Sequence, residues 1–179
     1  MNTLNYSMDL YNLFIKISCS SMQKITPFLW FVNNADEAAK FYASIFKGKV
    51  ISNTKLNDTP SGPNTYLVTI KLANTIFTLI NGGNAPGFTT FSAATSFVIN
   101  CKNQKEVNYY WNNLLKGGGK PSQCGWLTDK YGVTWQVVPE QIPKYLAGSD
   151  KQGRDRAMKA MLKMVKLDIN KIKNAYIKK

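Results

Sequence analysis

The sequence predicts an α+β fold: two βαβββ modules whose strands form a curved, cup-shaped mixed sheet with helices on its outer face, followed by a C-terminal helical tail. Three observations predict it. One order of apolar runs, amphipathic stretches and turn residues occurs twice in the chain. Each predicted helix stops at glycine, Gly48 in the first copy and Gly117 to Gly119 in the second. The second copy ends in a hairpin, Cys124 to Pro139, with a turn at Asp129-Lys130-Tyr131-Gly132 and an aromatic, β-branched return strand stopped by proline.

The first module begins with the strand-length apolar run Ile25 to Val32. Asn33 or Asn34 caps a helix from Ala35 to Phe46, with Ala38, Phe41, Tyr42 and Ile45 on one face. Lys49 to Leu56 is a strand, residues 57–63 are a loop on composition, and Tyr66 to Leu72 turns through Ala73-Asn74 into Thr75 to Ile80. In the second module Thr95 to Cys101 is a strand, and Gln104 to Lys116 is a helix carrying Val107, Tyr110, Trp111 and Leu114. A short strand near Lys120–Ser122 and the hairpin follow. The crossing Asn81 to Phe88 is glycine-rich, but its glycines do not follow phosphate-loop or dinucleotide spacing. Asn81 is expected to make a turn hydrogen bond there.

The resulting division is residues 1–22 as a poorly ordered extension with Met22 as the natural start, 23–148 as the domain (modules at about 23–83 and 93–140), and 149–179 as a basic amphipathic tail. Residues 10–17 are interrupted by Asn12 and Lys16 and lack a basic start, so they make a poor signal peptide and are too short to span a bilayer. In the tail, Met158, Met161, Leu162, Val165, Ile169, Ile172 and Tyr176 follow helical spacing, and Asp168 is placed to cap a second short helix. That face is expected to pack on the domain or on a partner subunit.

With 179 residues and 44% hydrophobic content, the chain can build a real core. It contains no histidine, which excludes His-based triads, Cys-His dyads and imidazole metal sites. Three widely spaced cysteines form no disulfide framework and favour a cytoplasmic setting. The formal charge is +13; residues 151–179 hold ten basic and two acidic side chains, so +8 sits in the tail. No aromatic residues interleave with those lysines as a nucleic-acid stacking platform requires.

The segments Ile25 to Phe31, Phe41 to Phe46, Leu79 to Gly83, Ser96 to Cys101, Cys124 to Pro139 and the tail pattern Ala157 to Ile169 resemble the PhnB-like branch of the vicinal oxygen chelate (glyoxalase, bleomycin resistance, dioxygenase) superfamily. Its members often carry a 3-demethylubiquinone methyltransferase label. The sequence gives that label no support, because no glycine-rich strand-turn-helix for S-adenosylmethionine is present. The resemblance implies four metal-holding positions, which fall at Pro27, near Thr78, near Ser96 and at Gln136. The last is a glutamate in the superfamily. None of the four is anionic or an imidazole, so no metal and no cofactor are expected.

Strand alternation places Leu29 and Phe31 inward with Pro27, and Thr134 and Val138 inward with Gln136. Trp30 and Trp135 then point outward as packing anchors. Ser96 and Gln136 either satisfy each other or meet a ligand. Cys124 reads as a packed thiol or as a nucleophile helped by Lys120 or Lys130. Tyr131 is a candidate rim residue, and Asp129 a turn former. The ligand-binding candidates are therefore Leu29, Phe31, Thr78, Ser96, Gln136, Cys124 and Tyr131. The expected protein is a cytoplasmic homodimer binding a small, mostly apolar or aromatic molecule in a metal-free cup, with no membrane partner. The alternatives are a metal-dependent glyoxalase- or dioxygenase-type enzyme, and a protein that meets nucleic acid through its basic tail.

Overall fold

The computed structural model describes residues 23–57, 59, 62, 65–84 and 91–178. The expectations for residues 1–22, for most of the loop between 57 and 64, and for the crossing beyond Asn84 lie outside the described residues. Chain contacts divide the protein into two units, one ending at Asn84 and the other beginning at Ala85.

The first unit runs β1 (Phe28–Phe31), α1 (Ala35–Ile45), β2 (Lys49–Leu56), β3 (Thr65–Leu72) and β4 (Thr75–Asn81). Its sheet has the order β1-β4-β3-β2, with β1 parallel to β4 and the other neighbours antiparallel. β1 is shorter than the apolar run from Ile25 to Val32 suggests. Pro27 has no N–H to give the ladder and only its carbonyl joins, accepting from Thr78 N at 3.0 Å. Ile25 beyond it is 81% exposed.

Helix α1 buries Ala35, Ala38, Ala39, Tyr42 and Ile45, an i, i+3, i+4, i+7 stripe, against β3 and β4. Phe41 is only half-buried. Asp36 and Glu37 in the first turn complement the helix dipole. Asn34 occupies the N-cap position without a side-chain bond. The cap comes instead from Asn81, whose Oδ1 accepts from Ala35 N at 2.6 Å across 46 residues. Asn81 is thus a tertiary cap, which replaces the expected turn bond. At the other end Lys47 takes the left-handed conformation (φ 49°), while Gly48 is needed because a Cβ there would run into the Lys71 carbonyl oxygen.

The second unit repeats the plan: β5 (Phe97–Cys101), α2 (Gln104–Leu114), β6 (Lys120–Pro121), β7 (Trp126–Thr128) and β8 (Thr134–Pro139). Its sheet order, β5-β8-β7-β6, matches the first position for position. β5 starts at Phe97, so Ser96 lies just before the strand. α2 is capped by Asn103, whose Oδ1 accepts from Glu106 N at 3.0 Å, and Glu106 answers by accepting from Lys102 N at 2.8 Å. Val107, Trp111 and Leu114 are buried, Tyr110 only half so.

Three helices follow: α3 (Ile142–Leu146), α4 (Lys151–Leu162) and α5 (Ile169–Ile177). They bury Ile142, Tyr145, Ala157, Leu167 and Ile172 in one cluster, with Met161, Met164 and Tyr176 packed against it. Fully burying each leucine- or isoleucine-sized side chain is worth about 1.5–3 kcal/mol. The tail is stitched to the second unit by polar bonds as well. Cys124 and Gly125 donate their N–H groups to the Met164 and Val165 carbonyls at 2.7 and 2.8 Å. Gln104 donates to Leu167 O and accepts from Ile169 N, both at 3.0 Å. Asp168 caps α5 as the sequence implies, accepting from Lys171 N at 3.0 Å. Arg156 donates to the carbonyls of Ala175 and Tyr176 at 3.0 and 2.8 Å, covering the C-terminal end of α5.

The inward face of α4 differs from the expected stripe. Gly153 and Ala157 are buried, whereas Met158 and Leu162 of the stripe, with Val165 just after the helix, are exposed. The small side chains let α4 approach α5 closely, and that contact sets the helix rotation. Gln104→Ala should weaken tail docking by about 1–2 kcal/mol through its two lost bonds. Faster amide exchange at residues 167–172, with the sheet unaffected, is the expected reading. Among the described residues no helix is long and apolar enough to cross a membrane.

Candidate functional site

In the first unit, register decides which face each side chain takes. Phe31 pairs with Asn81 and Leu29 with Leu79, so these four share the face that Asn81 presents to α1. Leu29 and Phe31 are 8% and 3% exposed. They belong to the core beneath the helix, on the face opposite Thr78. This corrects their expected inward placement beside it; a one-residue difference in strand phase moves a whole set of side chains to the other face. The opposite face carries Phe28, Trp30, Thr78 and Ile80, through the pairs Phe28–Thr78 and Trp30–Ile80, with Thr78 and Ile80 buried. Trp30 is therefore not directed at α1. Its indole lies on the backbone of Gly82, and its Nε1 donates to Gly83 O at 3.0 Å. The two glycines serve that indole.

In the second unit Phe97, Ile99, Trp135 and Val137 share one face through the pairs Phe97–Trp135 and Ile99–Val137, and Trp135 and Val137 are buried. Trp135 is the packing anchor the alternation suggests. Its Nε1 donates to Asp129 Oδ2 at 2.8 Å. Asp129 Oδ1 also accepts from Tyr131 N and Val133 N at 2.9 and 3.1 Å, so the turn carboxylate organises the hairpin. The opposite face carries Gln136, its parallel neighbour Val98 and its antiparallel neighbour Trp126. Gln136 Nε2 donates to Ser96 Oγ at 2.9 Å. These two candidates thus meet through one hydrogen bond. Trp126 beside Gln136 was not among the sequence candidates. Counting back through the turn from Gln136 would have found it.

The remaining candidates stand apart from that pair. Tyr131 sits at the hairpin turn, with Lys130 Nζ 4.9 Å from its ring centre. Cys124 is half-buried with φ 56°, and its thiol points to the Met161 carbonyl at 3.7 Å. Its surroundings are the tail, which favours the packed-thiol reading over the nucleophile. Burial pushes the Cys101 thiol up to about 12, with Glu106 and Glu140 adding to the effect, so it stays protonated and inert.

The four positions that would hold a divalent ion do not suit one. In the first unit Pro27 offers only a carbonyl, already bonded to Thr78 N. In the second, Ser96 and Gln136 are neutral and bonded to each other. No group of three His, Cys, Asp or Glu side chains converges among the described residues. A groove of about 450 Å³ lies elsewhere, at the start of α1. It is lined by Val32, Asn33, Asp36, Asn53, Tyr66, Asn81 and Gly83, and includes none of the seven candidates.

Comparison with known proteins gives a consistent result. Residues 23–138 match the family model described as 3-demethylubiquinone-9 3-methyltransferase, so the tail pattern lies beyond the matched span. A PhnB protein from Bacillus cereus carrying that methyltransferase label is 30% identical, over 65% of this chain and 99% of its own, with a TM-score of 0.59. A Pseudomonas aeruginosa protein is 21% identical over 66% and 98%, TM-score 0.56. The trypanothione-dependent glyoxalase I of Leishmania major is 15% identical over 75% and 99%, TM-score 0.50, and shows the shared fold. No curated protein matches significantly. Over the two repeated units, the chain belongs to the PhnB-like family, described as 3-demethylubiquinone-9 3-methyltransferase.

Proposed function

We propose that this protein binds a small, mostly apolar or aromatic molecule without a metal, using the sheet face that carries Gln136 and Trp126 and the face of the first unit that carries Trp30. The observation that carries this reading is the Ser96–Gln136 bond where the superfamily would bring ligands to a metal. A neutral, mutually bonded pair has no charge to offer a cation. Beside Trp126 and the 53%-exposed Val98, it makes an apolar surface with a few polar anchors, which is the usual character of a small-molecule site. Phe28 and Trp30 give the corresponding face of the first unit an aromatic character. We further propose a cytoplasmic homodimer, in keeping with the free cysteines.

The methyltransferase activity in the family description is not part of this proposal. Its cofactor is ordinarily held at a glycine-rich turn of a doubly wound parallel sheet, whereas the described residues form two mixed sheets.

Native mass spectrometry of protein purified without chelator tests the reading. A metal-free dimer retaining an organic mass is expected, with the retained fraction falling in Gln136→Leu, which removes the polar anchor and keeps most of the volume. One divalent ion per subunit would overturn the proposal in favour of a metal-dependent enzyme.

A further inference from the structure

Helix α4 and the residues just after it show solvent a face unlike their inner one. Ala157 is buried and Met161 and Met164 turn into the cluster, while Met158, Leu162 and Val165 are 39%, 54% and 47% exposed. Each exposed apolar residue is followed directly by a lysine: Lys159, Lys163 and Lys166. Lys159 and Lys163 are exposed and Lys166 is half so. From 158 to 166 there are three lysines and no acidic residue. The carboxylates that flank this segment in sequence are Asp155, paired with Lys151 at 3.0 Å and drawn more weakly toward Lys159, and Asp168, in the cap of α5. The stripe is also held firmly, because the Met164 and Val165 carbonyls accept from Cys124 and Gly125.

We infer that this stripe docks the protein on an anionic lipid surface. Charge complementarity selects the occupant. A second copy meeting the same face would set lysines against lysines, and the whole chain is +13. A folded protein partner needs on the order of 800 Å² of shaped contact per side. Three apolar side chains, two on the helix and Val165 just past its end, do not provide it, whereas a fluid leaflet needs no matching shape. Apolar side chains seated at the headgroup boundary and lysines among anionic headgroups act together, each lysine adding about 1 kcal/mol near such a surface. The attachment is peripheral, which revises the expectation of no membrane partner. The inference is independent of the ligand reading above.

The test is cosedimentation of the full chain with phosphatidylcholine vesicles, with and without phosphatidylglycerol, at low and physiological salt. Binding only to the anionic vesicles, reduced by salt, is expected. The combined variant Met158→Ser, Leu162→Ser, Val165→Ser keeps every charge and alters only exposed positions. It should lose on the order of tenfold in partitioning. Lys159→Gln with Lys163→Gln should lose a similar amount. No cosedimentation of the wild type at low salt would overturn the inference. So would unchanged binding of the triple serine variant, since charge alone would then explain it. Conversion of a dimer to a monomer by that variant, with no lipid binding by the wild type, would assign the stripe to a second copy and overturn it as well.

Discussion

Gly82→Ala should destabilise the first unit by about 3 kcal/mol, the upper end of overpacking costs. Gly82 is buried, and a Cβ added there would fall within the Trp30 indole. Its backbone cannot retreat easily. The Gly82 and Gly83 N–H groups donate to Phe31 and Val32 carbonyls at 2.9 and 3.0 Å, continuing the β1 ladder past β4. The indole is held in turn by its bond to Gly83 O. Something must therefore move, and whichever group moves breaks a bond. Urea unfolding of the single variant measures the cost. Trp30→Phe in the same background removes the ring atoms that collide, so the double variant should be less damaged than the sum of the singles. The coupling should be about 1–3 kcal/mol. Additive costs would show that the indole and Gly82 do not oppose each other as described.

Asp129→Ala should cost at least about 3 kcal/mol, because it strands three donors in the interior. Asp129 is 4% exposed and accepts from Tyr131 N, Val133 N and Trp135 Nε1. The hairpin turn and the anchor tryptophan both depend on it. Asp129→Asn keeps an acceptor for the two backbone donors but turns an NH₂ toward the indole N–H, so an intermediate loss is expected. Near-ultraviolet circular dichroism should report the freed Trp135, and denaturant midpoints should rank wild type above Asn above Ala. An alanine variant as stable as wild type would mean that water or a rearranged turn replaces the carboxylate.

The sequence was informative where local chemistry decides the outcome. Asp168 before a helical stretch and the proline that stops β8 sit where residue type alone puts them, and the turn falls at Ala73-Asn74 as read, although Ala73 takes a left-handed φ of 50° that its Cβ disfavours. The repeated element order was equally visible, and the two sheets share one strand order. Less of the candidate site was legible. Ser96 and Gln136 do come together, because Gln136 lies in β8 of the hairpin and Ser96 immediately precedes β5, the parallel neighbour of β8. Leu29 and Phe31 went to the wrong face because β1 is apolar at every position. Alternation divides such a strand into two sets without saying which set meets the helix.

The sequence by itself therefore determined the module order, the strand-breaking proline, the Asp168 cap and the absence of any imidazole ligand. Each depends on one residue and its near neighbours. Only the tertiary structure decided which way β1 faces, that Asn81 caps a helix 46 residues earlier, and that α4 turns Ala157 inward and Leu162 outward. Those outcomes depend on close approach between segments remote in the chain. A periodic pattern is compatible with more than one rotation, and the contacts that choose among them form only on packing.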